Sequence, residues 1–275
     1  MLDQAVLLSI RWWFGEFFAA LPALLPRWIG SWLLTLVVLI YSFGALKSHV
    51  RPRALQIDDR VRLWARSLRW RETTDPAQAA PAVERVWLTW FFRFWTNFAS
   101  APSLCVLSLM LPIWFYSTWV QWPVPDRMNL ATVPHTIFRM TDWWLLPGLC
   151  YTGSMLLSYV AKRIFKRVRP PIESGAFGHR LLRDPSFPSG HSLTSFCFWS
   201  MIVVSSLHYG APPSVVLGLV ILSLIIILLT GLSRVYMRVH FPSDVLGGWV
   251  IGIVWSCVCY LTFRGVLGAE YWISL

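Results

Sequence analysis

The chain of 275 residues is 56% hydrophobic and 16% aromatic but only 13% charged, with a mean hydropathy of +0.55. Soluble globular domains carry about 25% charged residues, so this composition excludes a water-soluble enzyme with a polar shell, and equally a disordered or collagen-like chain. What remains is an all-α, polytopic membrane bundle, whose formal net charge of +11 is large for so small a polar inventory.

A bilayer core of about 30 Å takes roughly 20 apolar residues per helix, and the elements follow in chain order. Met1–Ser9 has an acid at Asp3 and no basic leader, so no cleavable signal is expected. Residues 5–26 are hydrophobic but interrupted by Arg11, Glu16, Pro22 and Pro26. They read as an interfacial or re-entrant helix, with a spanning helix as the alternative. Residues 28–46 form the first of six expected spans. The connection 47–100 is basic through Arg51, Arg53, Arg60, Arg62, Arg66, Arg69 and Arg71, then dense in Trp and Phe around Arg93 over Val86–Phe98. It reads as an arm lying among lipid headgroups rather than a nucleic-acid site. Five further spans are expected at 102–120, 143–161, 192–208, 213–231 and 245–263. Trp28, Tyr116, Trp119, Trp122, Trp143, Trp144, Tyr271 and Trp272 fall near span ends, as interfacial anchors do. Two regions result: 1–100, with the arm, and 101–275, a core bundle. Cys105, Cys150, Cys197, Cys257 and Cys259 lie in apolar runs without metal or redox spacing and read as small buried hydrophobes.

The charge is unevenly placed. Segments 47–100 and 162–187 carry +5 each and 232–244 carries +1, while 1–46, 121–142 and 264–275 sum to zero. Six alternating spans put all three charged segments on one membrane face. The positive-inside bias would make that face cytoplasmic.

Three short motifs stand on it. Lys162-Arg163-Ile164-Phe165-Lys166-Arg167-Val168-Arg169-Pro170 closes the third span; by itself it is a basic membrane flank. Phe187-Pro188-Ser189-Gly190-His191-Ser192 precedes the fourth span. Ser189 or Ser192 can cap the coming helix, whose first N–H groups suit a phosphate oxygen. His191 there is either interfacial or functional. Ser233-Arg234-Val235-Tyr236-Met237-Arg238-Val239-His240-Phe241-Pro242-Ser243-Asp244 joins the fifth and sixth spans. Asp244 can accept from the His240 Nδ1, leaving Nε2 as a nucleophile; alternatively Ser243 or Asp244 simply caps the last helix.

Together the motifs read Lys-x6-Arg-Pro, Pro-Ser-Gly-His and Ser-Arg-x5-His-x3-Asp. This pattern resembles the type 2 phosphatidic acid phosphatase superfamily, which also contains vanadium haloperoxidases and glucose-6-phosphatase-like enzymes. The resemblance covers 162–244 by motif and 102–263 by helical layout, leaving 1–100 outside. It implies that His240 attacks phosphorus to form a phosphohistidine, that Asp244 supports its imidazole, and that His191 serves as general acid and then base. It implies Lys162, Arg169 and Arg234 as holders of the phosphoryl oxygens, helped by Ser189 and the Gly190 N–H, with no metal or other cofactor. Fixed cations can supply the charge stabilisation that phosphoryl transfer needs.

The expectation is therefore a lipid phosphatase of the bacterial inner membrane. Its substrate is a phosphatidic acid, phosphatidylglycerophosphate, lipid A phosphate or isoprenyl diphosphate, with a lean toward the last. Phosphotransfer to a non-water acceptor and an inactive lipid-binding member are the alternatives. A haloperoxidase is disfavoured by the apolar composition. The resemblance implies an extracytoplasmic site, against the positive-inside bias. Lys166, Arg167, His179, Arg180, Arg183 and Arg238 are candidates for a second phosphate or plain solvated charges; Ser186 and Tyr236 have no assigned role.

Overall fold

In a computed structural model the described residues are 33, 37, 57–61, 63–64, 70–71, 83–84, 86–119, 133–170, 184–208 and 210–271. Among them a two-residue antiparallel ladder, β1 (Trp70–Arg71) with β2 (Val83–Glu84), is followed by six helices. These are α1 (Val86–Asn97), α2 (Ala101–Trp119), α3 (Val133–Phe165), α4 (Gly190–His208), α5 (Pro213–Tyr236) and α6 (Pro242–Tyr271). Helices α2 to α6 overlie the last five expected spans, although α3 (Val133–Phe165) and α6 (Pro242–Tyr271) run well beyond the expected 143–161 and 245–263. The 5–26 segment and all of the first expected span, 28–46, except Leu33 and Val37 lie outside the described residues. Among the described residues three stretches, Val86–Leu111, Pro213–Tyr236 and Pro242–Arg264, are long and apolar enough to cross a membrane, the first beginning in the stretch read as a surface arm.

Helix α4 is the axis of the bundle, packed against α3, α5 and α6, while α2 lies on α3 and α1 lies on α5. The core between α3, α4 and α6 is built from Leu146, Cys150, Leu157, Leu193, Cys197, Ile251 and Trp255. Leu104, Tyr151, Phe198 and Ile202 form a second cluster. The outside is apolar as well: Val215, Leu217, Ile221, Leu224, Leu228 and Leu232 of α5 are all about half exposed. A helix apolar on every side suits hydrocarbon and not water. Of the cysteines, Cys150, Cys197 and Cys259 are buried as expected, whereas Cys105 and Cys257 are exposed.

Local chemistry sets the helix ends that matter. Pro213 and Pro242 open α5 and α6, where a fixed φ and a missing N–H carry no penalty. Helix α5 closes in a Schellman motif: Arg238 N–H donates to Val235 O at 2.9 Å and Val239 N–H to Arg234 O at 3.1 Å. Arg238 holds φ +58°, a left-handed turn that glycine usually occupies. That reversal sets His240 over the end of α5 and delivers the chain into α6. Helix α6 then approaches the start of α4 closely at Gly248, where an added Cβ would lie 2.9 Å from Ser189 O.

Candidate active site

The site is assembled where α4, α5 and α6 meet the chain following α3. Asp244 lies in the first turn of α6 and is fully buried. Its Oδ2 accepts the Phe241 N–H at 2.9 Å and a short bond from the Ser186 hydroxyl, and its Oδ1 accepts Arg167 Nη1 at 2.7 Å. Asp244 is thus both the cap of the last helix and the neighbour of His240, and the two alternatives read from sequence are one arrangement. Oδ2 stands 3.5 Å from His240 Nδ1, beyond a normal hydrogen bond.

The other imidazole nitrogen faces the cations. His240 Nε2 is 3.4 Å from Arg169 Nη1, which also donates to Val239 O at 2.8 Å. Arg169 Nε donates to Asp184 O at 2.8 Å, so the fork is fixed at both ends. Burial pushes the pKa of His240 down to about 4; Arg169 and Lys162 push the same way, and Asp244 opposes them. The imidazole is therefore neutral at physiological pH. Burial, and then the charge of Arg169, also holds the Lys162 ammonium below its usual range. Burial, and then the charges of Arg234, His240, Lys162 and Arg169 around it, hold the His191 imidazole well below its usual range. The two histidines and three cations thus share one site, drawn from three separated stretches of chain.

Arg234, at the end of α5, is held by α1. Its Nη2 makes a short bond to Thr96 Oγ1 and its Nε donates to Ser233 Oγ at 3.2 Å. Ser189 is fully buried, its hydroxyl 2.9 Å from that of Ser192 and its N–H donating to Asp244 O at 3.0 Å. It therefore acts mainly at the start of α4. Gly190 begins that helix, so its N–H precedes the helical pairing. A cavity of about 190 Å³ adjoins His191, lined also by Ala99, Ala101, Tyr151, Met155, Ser158, Gly190 and Thr194.

Several of these residues have no signal in the sequence motifs. Arg167, a candidate for a second phosphate or a solvated charge, is instead bonded to Asp244, to Ser243 Oγ at 2.6 Å and to Asp58 at 2.8 Å. Ser186 holds Asp244, and Tyr236 bonds Thr89 at 3.1 Å. Arg238 is buried rather than solvated, and Lys166 is exposed; His179, Arg180 and Arg183 lie outside the described residues. Asp58, within a stretch read as a headgroup-bound arm, is 1% exposed and docks on this site. The feature that could have flagged it is an acid within a run of arginines.

Residues 143–266 match the sequence model of the PAP2 superfamily. Phosphatidylglycerophosphatase B of Bacillus subtilis is 34% identical over 124 residues, 42% of this chain and 56% of that protein. Undecaprenyl-diphosphatase BcrC of the same organism is 28% identical over 123 residues, 44% of this chain and 56% of that protein. The chain thus spans somewhat more than half the length of these curated relatives. The crystal structure of a transmembrane PAP2 type phosphatidylglycerolphosphate phosphatase from Bacillus subtilis shares its fold. That match has a TM-score of 0.57 and 24% identity, covering 82% of this chain and 94% of that one. The matched region contains Lys162, Arg169, His191, Arg234, His240 and Asp244 together, and over it this chain is similar to the PAP2 superfamily.

Proposed function

We propose that this protein is a six-span lipid phosphatase of the bacterial inner membrane that hydrolyses a lipid phosphate or diphosphate through a phosphohistidine. The observation that carries the reading is the polarity of His240: Nδ1 turned to a buried carboxylate, Nε2 turned to Arg169. A neutral imidazole with its outward nitrogen among fixed cations is arranged as a nucleophile toward an anionic centre.

In this mechanism Nε2 attacks phosphorus as the P–O bond to the lipid breaks, and His191, protonated once the bound anion offsets the cations around it, gives its proton to the departing oxygen. Asp244 stabilises the positive charge that develops on the His240 ring. Arg169 and Arg234 present planar forks to the non-bridging oxygens, and Lys162 adds a point charge. Water, deprotonated by His191, then cleaves the N–P bond and regenerates both imidazoles. These cations supply the charge compensation a metal would otherwise provide, so the proposal is metal-independent. The cavity beside His191 can accept the leaving portion of the lipid while its tail stays among the helices.

The relatives named above act on phosphatidylglycerophosphate and undecaprenyl diphosphate, and both belong among the proposed substrates, the isoprenyl diphosphate first. The arm-bearing region 1–100 and the core 101–275 are proposed to act as one catalytic unit, on the extracytoplasmic face. Phosphate release by purified protein in detergent, across a panel of lipid phosphates, tests the reading. The wild type should release phosphate from at least one lipid, unaffected by EDTA and inhibited by vanadate. His240→Ala should fold and lose turnover by several orders of magnitude. A near-normal rate in that variant would reject His240 as the nucleophile, and a strict Mg²⁺ requirement would reject the mechanism.

A further inference from the structure

The catalytic pair is clamped from a segment outside the matched region 143–266. Asp58 Oδ1 accepts the Ser243 N–H at 2.9 Å. Its Oδ2 accepts the Ser243 hydroxyl at 2.5 Å and Arg167 Nη2 at 2.8 Å. Arg167 Nη1 in turn donates to Ser243 Oγ at 2.6 Å and to Asp244 Oδ1 at 2.7 Å. The guanidinium lies 4.2 Å from the centre of the Phe241 ring. Two carboxylates thus share the two ends of one arginine fork, and Ser243 ties both partners to the first turn of α6.

We infer that Asp58 is a positioning residue for the His240–Asp244 pair, acting through Arg167 and Ser243. The inference rests on the catalytic reading of His240. The physical argument concerns rotation. Asp244 can support His240 only if its carboxylate plane is fixed, with Oδ2 toward Nδ1. Arg167 fixes that plane by holding Oδ1, and Arg167 is itself held by Asp58 on one edge and by the Phe241 ring on one face. Without Asp58 the fork loses its second anchor and can turn. Burying a carboxylate is costly unless it is well paired. A side chain whose only task was to tether the arm could do so more cheaply with an apolar contact. Asn at this position keeps the shape, but it loses the charge opposite Arg167, and in either orientation its NH₂ faces a donor, the Ser243 N–H or the pair Ser243 Oγ–H and Arg167 Nη2, where a carboxylate oxygen now accepts.

The test compares wild type, Asp58→Asn, Asp58→Glu, Ser243→Ala and His240→Ala as full chains in detergent, with kcat, KM and Tm measured for each. Asp58→Asn should lower kcat by about 10- to 100-fold, the scale of misorientation by around an ångström, with KM within about threefold because the phosphate-holding cations are untouched. Asp58→Glu should recover part of kcat, since the acceptor charge is retained. Ser243→Ala, which leaves the Asp58–Arg167 pair in place, should show a smaller kcat loss in the same direction at unchanged Tm. If Asp58→Asn does not fold, the kcat of Ser243→Ala decides. Wild-type kcat in folded Asp58→Asn, or in Ser243→Ala, overturns the inference while leaving the phosphatase reading standing. A wild type that releases no phosphate, or an active His240→Ala, overturns both.

Discussion

Burial and two neighbouring cations act on His240 in one direction and only Asp244 opposes them, so the ring stays neutral down to about pH 4. Free imidazole takes up its proton near pH 6.5. A neutral nucleophile needs no deprotonation at physiological pH, so its acidic limb in kcat/KM should lie well below 6.5, which a pH–rate profile of the purified enzyme checks. The same shift has a stability sign. Between pH 6.5 and about 4 the unfolded chain binds a proton at this position and the folded chain does not. This residue therefore lowers stability as pH falls through that window and has no effect above it. His240→Ala should flatten the fall in Tm across the same range. None of this is visible in the motif: His-x3-Asp names the pair, but burial and the approach of Arg169 set its protonation.

Among the elements, the start of α4 and the first turn of α6 must lie against each other for the site to exist. Ser189 N–H donates to Asp244 O at 3.0 Å across that junction. Gly248 permits the approach, because a Cβ there would stand 2.9 Å from Ser189 O and 3.2 Å from Leu193 N. Both neighbours are backbone and cannot rotate aside. Gly248→Ala should therefore destabilise the fold by about 1–3 kcal/mol, as overpacking does, read as a lower Tm in detergent, and should lower kcat as the Ser189–His191 turn is pushed away from His240. Helix α1 illustrates the converse. Its Trp and Phe content reads as interfacial in the sequence, and Trp87 and Trp90 are exposed. Yet Thr96 on the same helix reaches Arg234. The aromatic pattern reports the outward face, while the inward face is set by packing on α5.

At the scale of the whole molecule, the charge distribution and the structure agree on one point. Asp58 of the arm, Arg167 after α3 and Asp244 of α6 are in contact, so one residue from each of the three charged segments meets at one end of the bundle. Cysteines introduced by Arg60→Cys and Asp184→Cys, both exposed positions, should react with a membrane-impermeant reagent from the same side of oriented vesicles. The background should lack Cys105 and Cys257, which are exposed. Labelling from opposite sides would contradict the shared face, and the reactive side would decide between the positive-inside bias and the proposed extracytoplasmic site.

By itself the sequence determined the apolar helical class, the places of five of the described helices and the three motifs that the fold brings together. Hydrocarbon demands long apolar runs, and phosphoryl transfer demands a few residue types at fixed local spacings; both are written along the chain. Only the tertiary structure decided the partners of those side chains. Asp58 lies 186 residues from Asp244 in the chain and Thr96 lies 138 from Arg234, and no local pattern encodes a hydrogen bond across such a distance. It also decided the state of His240, because a protonation equilibrium depends on every charge and every layer of burial around a group, and those exist only once the helices have packed.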